Sequence, residues 1–398
     1  MNWIPFASVF LAALAGTLAT EPAARRIAVS LGAVDMPSKR RVNVRPVPRM
    51  GGVAILCGLI LACVVQYLGT TRLQWPVVLV PSPKLTVTYQ GIAASVLAIF
   101  AVGAVDDVRQ LKPLPKLLGQ VAAASIAAAS GLVIGDIVNP FAGGEIALGW
   151  LAYPITVVYL VAFANIINLI DGLDGLAAGI TCISSFTMFV LAVLAHRIDA
   201  AALSIALCGA TLGFLRYNFN PASIFMGDSG SLLLGFLLGV VSLLSVARVA
   251  GLTTLLLPLV LAGIPIIDTF SAIVRRRRAH VSVGQADKGH IHHRLIEEGF
   301  DQRQAVVLIY LWTAALCLGA VIMTQVEPLP RILVLAFLVA MSALFAMRLR
   351  LFTPVLLHHY DNQGRDELIG PDDPEFEEEA HRQHMELSLI HISEPTRR

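Results

Sequence analysis

The chain has 398 residues, of which 56% are hydrophobic and only 14% charged, with a mean hydropathy of +0.74. Soluble domains carry about 25% charged residues, so the composition excludes a soluble enzyme, a disordered chain and a collagen-like fibre. With 29 Lys+Arg against 27 Asp+Glu the net charge is +2, too balanced for nucleic-acid binding through bulk charge.

A spanning helix needs about 20 mostly apolar residues, and about eleven runs qualify. In chain order they lie near 4–20, 50–70, 89–105, 117–138, 151–168, 175–196, 200–216, 230–248, 252–273, 305–325 and 329–347. No basic stretch precedes Trp3 and no convincing cleavage site closes the first run, so it reads as a helix and not as a secretory signal. Cys57, Cys63, Cys182, Cys208 and Cys317 all sit inside apolar runs without CxxC spacing and read as small buried hydrophobes.

Most loop Lys and Arg, among them Arg25–Arg49, Arg109–Lys116 and Arg275–Arg278, follow odd-numbered runs, and few follow even-numbered ones. Cytoplasmic loops retain positive charge, which puts the N-terminus outside and the C-terminus inside. The expected architecture is an all-α integral membrane protein, with a polytopic catalytic domain over 1–351 and a flexible cytoplasmic tail over 352–398. The last stretch, LSLIHISEPTR, resembles a translated library adapter and is assigned no function.

Polar groups against hydrocarbon cost several kcal/mol, so polar clusters at helix ends are functional candidates. Five occur, all on the expected inner face. The loop Asp35–Gly52 is rich in Pro, Gly and basic residues, which fits the topology signal and phosphate recruitment equally. Asp106 and Asp107 end the third run, with Lys116 and Gln120 opening the fourth; adjacent helical carboxylates point about 100° apart, so unless the helix ends there they cannot clamp one atom together, and one could face a metal and the other a nucleophile. Asn165, Asn168, Asp171 and Asp174 recur every three residues, and a helix broken at Gly172 and Gly175 would line all four along one cavity. An EF-hand reading of DxDG fails because the remaining positions are absent.

The fourth cluster, Tyr217–Gly230, places Asp228 between Gly227 and Ser229 at a helix start, where it could cap the helix or where free backbone N–H groups could meet phosphate. The fifth, Asp287–Arg294, carries His290, His292, His293 and Arg294; without Cys or HExxH it suits diphosphate better than zinc. No P-loop, GxGxxG or GxSxG motif appears, which argues against ATP-driven, dinucleotide and serine-hydrolase chemistry.

Together, Asp106-Asp107, NxxNxxDGxDGLAxG from Asn165, FMGDSGSLxLG from Phe225 and HIHHRL from His290 resemble the polyprenyl-phosphate N-acetylhexosamine-1-phosphate transferase superfamily, glycosyltransferase family 4. The HIHHRL form is more similar to the branch acting on UDP-GlcNAc and undecaprenyl phosphate than to the MurNAc-pentapeptide branch. Asn43 stands where the family's first loop often has His.

The resemblance implies attack by a lipid phosphate on the β-phosphorus of a UDP-sugar, releasing UMP, in the bacterial inner membrane with a cytoplasmic site. It implies Mg2+, with Mn2+ as substitute, on Asp228, completed by Asp107 or Asp106, the latter two also able to take the lipid phosphate proton. By the same resemblance Asp171 and Asp174 line the nucleotide pocket, Phe225 stacks on the base, and Asn168 and Asn218 orient phosphate or carboxylate neighbours. His290, His292, His293 and Arg294 hold the diphosphate and sugar, and Lys116 meets the lipid phosphate. The implied partners are the UDP-sugar, the polyprenyl phosphate and membrane lipid, with no nucleic acid; a homodimer stays open.

The alternatives are the same transfer from UDP-FucNAc, UDP-QuiNAc or UDP-MurNAc-pentapeptide, a membrane transporter, and a silent scaffold. Transporters bind near the midplane and often show repeats, whereas these polar residues cluster at one interface and no repeat is visible. A scaffold would require the five one-sided clusters to be structural.

Overall fold

The computed structural model describes residues 2–36, 45–75, 87–138, 145–246, 263–278, 289–353, 357–360 and 366–369, with a few isolated residues beyond. Asn43, Asp287 and nearly all of the tail beyond residue 369 lie outside them. Among the described residues the chain is an all-α membrane protein with small two-stranded hairpins, and nine helices are long and apolar enough to cross a membrane.

The chain forms two compact units, 1–266 with 301–338 and 267–300 with 339–398. The first contains α1 (Ile4–Ser30), β1 (Val34–Asp35), β2 (Val47–Pro48), α2 (Gly52–Arg72), α3 (Tyr89–Arg109), α4 (Pro113–Ala129), β3 (Asp136–Val138) and β4 (Glu145–Ala147). It continues with α5 (Ala152–Ile170), α6 (Leu176–Leu194), α7 (Ile198–Asn218) and α8 (Gly227–Val246). After α9 (Gly263–Arg278) and α10 (Ile291–Glu297) come α11 (Gln302–Gln325), α12 (Pro328–Arg348), β5 (Leu357–Tyr360) and β6 (Asp366–Ile369).

Local sequence sets the boundaries that matter. At the end of α3, Gln110 turns left-handed (φ 49°) and donates its N–H to Asp106 O at 2.8 Å. Lys112 is extended before Pro113, which opens α4 as a proline at a first helical turn should. α5 stops at Ile170, and Gly175, at φ +82°, restarts the chain as α6, as the broken-helix reading anticipated.

Three stretches differ from the sequence expectation. The run expected over 117–138 yields only α4, because Ser130 and Gly131 (φ +89°) end it and the β-branched Ile137 and Val138 pair with β4 instead. Of the run expected over 252–273, residues 252–262 lie outside the described part, while α9 continues through four arginines to Arg278. The expected flexible tail contains the β5–β6 hairpin.

α8 is the most enclosed of the nine candidate spans, packed against α3 and α5. Small residues permit that approach: a Cβ on Gly103 would lie 2.3 Å from Asp228 O, and one on Gly235 2.4 Å from Phe163 O. The start of α8 therefore abuts the ends of α3 and α5.

Candidate active site

Asp106 and Asp107 diverge as their helical spacing requires. Asp106 Oδ1 accepts the Leu111 N–H at 2.6 Å, and Oδ2 meets Lys116 Nζ at 2.8 Å. The same ammonium lies 2.9 Å from Asp228 Oδ1, so Lys116, only 19% exposed, bridges α3 and α8. Asn168, from the last turn of α5, also donates through Nδ2 to Asp228 Oδ1 and to Ser231 Oγ at 2.8 Å. A carboxylate in this setting needs such compensation, since a buried unpaired charge is costly.

Asp107, 1% exposed, has another task. Its Oδ1 accepts the Asp228 N–H at 2.8 Å and its Oδ2 the Ser229 N–H at 3.0 Å, closing the N-terminus of α8 from a neighbouring helix. Of the two alternatives raised for this helix start, phosphate contact by free N–H groups is thus corrected for the Asp228 and Ser229 amides, which are bound by Asp107, and the Asp228 side chain turns to Lys116 and Asn168. Gly227 (φ +70°) makes the turn, and a Cβ there would lie 2.6 Å from both Asp107 oxygens. Arg49 Nη2 donates to Asp107 O at 2.9 Å, a contact that sequence gave no means of assigning.

The first loop and the fourth cluster join through their backbones. Phe225 N–H donates to Pro48 O at 2.8 Å, Gly51 N–H to Phe225 O at 3.0 Å and Gly52 N–H to Met226 O at 3.1 Å. Gly51 and Gly52 allow this, since a Cβ would lie 2.3 Å from the Phe214 ring in one case and 2.4 Å from Gly230 N in the other.

The four residues expected to line one cavity separate. Asn165 pairs with Gln120, and Asn168 turns to Asp228. Asp174 Oδ2 accepts from Asn220 Nδ2 at 3.0 Å and from the Ala222 N–H at 2.9 Å, fixing the turn before α8. Asp171 has no hydrogen-bond partner among the described residues; burial first, then the charges of Asp228, Asp107 and Asp174, push it up to about 8. Asn218 is buried, its Oδ1 accepting the Gly175 N–H at 3.1 Å and its Nδ2 donating to Ile224 O at 3.0 Å, so both ends brace backbone.

The histidine segment belongs to the second unit. His290 Nδ1 lies 2.9 Å from Asp268 Oδ2, and the His290 and His292 rings stack at 5.7 Å. Burial first, then the neighbouring His293, push His292 down to about 3, so its ring is neutral at physiological pH. Arg294 donates through Nη2 to Thr353 O at 3.1 Å and lies 3.4 Å from Glu297. Asp268 was missed in the sequence, although an isolated acid inside an apolar run is itself a signal.

Residues 89–246, from α3 through α8, match the glycosyl transferase family 4, and they include the whole Asp106–Asp228 constellation. A protein of Bacillus subtilis (strain 168) named "Probable undecaprenyl-phosphate N-acetylglucosaminyl 1-phosphate transferase" is 36% identical over 315 residues, 79% of this chain and 84% of that one. The chain belongs to glycosyl transferase family 4. Another relative, a protein of Mycolicibacterium smegmatis (strain ATCC 700084 / mc(2)155) named "Decaprenyl-phosphate N-acetylglucosaminephosphotransferase", is 35% identical over 323 residues, 74% of this chain and 76% of its own. A phospho-N-acetylmuramoyl-pentapeptide-transferase of Clostridium botulinum (strain Eklund 17B / Type B) is 32% identical over 184 residues, 46% of this chain and 55% of its own.

Proposed function

We propose that this protein transfers N-acetylglucosamine-1-phosphate from UDP-GlcNAc to undecaprenyl phosphate at the cytoplasmic face of a bacterial inner membrane, releasing UMP. The observation that carries this reading is the convergence of Asp106, Lys116, Asn168 and Asp228 at the start of α8. The GlcNAc donor is favoured over MurNAc-pentapeptide by the relatives named for GlcNAc, whose similarity runs over about three quarters of this chain or more, against under half for the pentapeptide transferase.

A lipid phosphate oxygen attacks the β-phosphorus, a new P–O bond forms, and the bond to UMP breaks. That phosphate has a second pKa of about 6, so it arrives largely ionised and Asp106 need only take a residual proton. Lys116 offsets repulsion between the two anions as they meet. Asp174 and Phe225 serve the nucleotide. The HIHHRL run keeps its proposed role in holding diphosphate and sugar on sequence grounds.

The donor set fits a hard divalent cation. Among the described residues no three His, Cys, Asp or Glu side chains converge on a metal position by themselves, but Mg2+ keeps waters and substrate oxygens and asks for only one or two carboxylates. Among the described residues Asp171 has no hydrogen-bond partner, and the charges of Asp228, Asp107 and Asp174 act against its ionised form, a cost that a bound dication would offset. Asp228 and Asp171 would hold it, Asp107 adding an oxygen only through lone pairs not used on α8. Bound there, Mg2+ supplies charge neutralisation and polarises the diphosphate.

The test is incubation of membranes with labelled UDP-GlcNAc, undecaprenyl phosphate and Mg2+. Label should enter lipid as UMP appears, chelation should stop both, and Asp228→Ala should be inactive. Full turnover by Asp228→Ala would overturn the assignment, and preferential competition by another UDP-N-acetylhexosamine would change the donor.

A further inference from the structure

We infer that Asp268 is a positioning residue for His290, selecting which ring nitrogen the enzyme offers to substrate. Asp268 lies in α9, is 2% exposed, and uses both carboxylate oxygens on the histidine segment. Oδ2 sits 2.9 Å from His290 Nδ1, and Oδ1 accepts the Ile291 N–H at 2.8 Å. A carboxylate can only accept here, so Nδ1 carries the proton and Nε2 is the nitrogen left for substrate.

Two further features hold the ring. α10 has no side-chain cap from its own N-cap residue, His290, and Asp268 supplies that contact from α9. The His292 ring lies parallel to His290, 4° from coplanar orientation, with burial keeping His292 neutral. His290 is thereby fixed in place, in plane and in tautomer. Nothing in the sequence motif marks Asp268, which stands 22 residues before the histidine.

The substitution Asp268→Asn separates tautomer control from architecture. Its amide oxygen can still take the Ile291 N–H, but its NH2 must then face Nδ1, so His290 can keep a hydrogen bond only by moving its proton to Nε2. The inference rests on the reading that His290 touches the donor substrate, and two measurements keep the two ideas apart. In full-length protein labelled with nitrogen-15 histidine, the His290 signal, assigned by its loss in His290→Gln, should report the proton on Nδ1 in the parent and on Nε2 in Asp268→Asn. An unchanged tautomer would overturn the positioning role whatever the activity.

In the transfer assay, Asp268→Asn should lower kcat/KM about 10- to 100-fold, the range in which general acid–base and orienting groups act. In a His290→Ala background the same substitution should add less than about threefold, because residues acting through one another are non-additive. An equal loss in both backgrounds would show that Asp268 acts independently of His290. If His290→Ala alone kept full turnover while the tautomer still followed Asp268, the substrate role of His290 would fail and the positioning would stand. Asp268→Glu, which keeps the charge, should restore part of the loss, and its failure to do so in a folded protein would count against the inference.

Discussion

Asp107 holds the backbone of Asp228, not its side chain: one carboxylate oxygen takes the Asp228 amide at 2.8 Å and the other the Ser229 amide at 3.0 Å. The acid thought to share a metal with Asp228 is thus first of all what fixes the direction of α8. Asp107→Asn presents an NH2 to one of those amides and leaves a buried donor unsatisfied, at a cost of about 1–3 kcal/mol. We expect a lower apparent Tm and at least about a tenfold fall in kcat, with Asp107→Ala lower still, measured by thermal unfolding in detergent and initial rates.

Lys116 separates two carboxylates, at 2.8 Å from Asp106 and 2.9 Å from Asp228. Removing one partner from such a network leaves uncompensated charge, which costs about 3 kcal/mol where the groups are buried. Lys116→Met should destabilise and inactivate. Adding Asp106→Asn should recover stability but not turnover, a split read by comparing melting with label transfer.

Asp171 gives a pH dependence with a definite sign. Burial raises its folded pKa from 3.8 to about 8, so the ionised carboxylate opposes folding. Stability from this group is intact below the ordinary value and is lost as pH rises through the folded one. Asp171→Asn should therefore raise the apparent Tm at pH 9, by about 3 °C or more, with a shrinking gain towards pH 4. Millimolar Mg2+ should narrow the difference at pH 9 if this carboxylate meets the cation.

Gly103 is where α3 yields to α8. A Cβ there would lie 2.3 Å from Asp228 O and 2.5 Å from Asp228 C, both backbone atoms that cannot swing aside. Gly103→Ala should cost about 1–3 kcal/mol and lower turnover at least tenfold. Gly135→Ala, which meets nothing within 4 Å, is the control and should leave rates unchanged.

Much of this was legible in the sequence because hydrocarbon is an unforgiving solvent. Apolar runs gave the spans, and carboxylates at their ends gave Asp106, Asp107 and Asp228. The 100° between neighbouring helical residues anticipated that Asp106 and Asp107 would face different partners, as Lys116 and α8 now show. What stayed hidden was tertiary. The three-residue spacing from Asn165 to Asp174 suggested one shared cavity, but partners from α4, α8 and the turn before α8 draw those side chains apart. Hydropathy could not tell that residues beyond Ser130 would leave the helix for a hairpin, since apolar β-branched residues suit either. Asp268 went unread because its two partners lie beyond a stretch of chain that no local pattern bridges.

The backbone seam between Pro48–Gly52 and Phe225–Met226 bears on how the protein is made. The paired residues stand 174 to 177 positions apart, from Phe225 to Pro48 (225 − 48 = 177) and from Met226 to Gly52 (226 − 52 = 174), so the early segment emerges from the ribosome long before its counterpart exists. Until α8 has been inserted, Asp107 has neither the Asp228 nor the Ser229 amide to hold. A chain arrested during synthesis between Asn218 and Met226 therefore has every helix from α1 to α7 and no working centre.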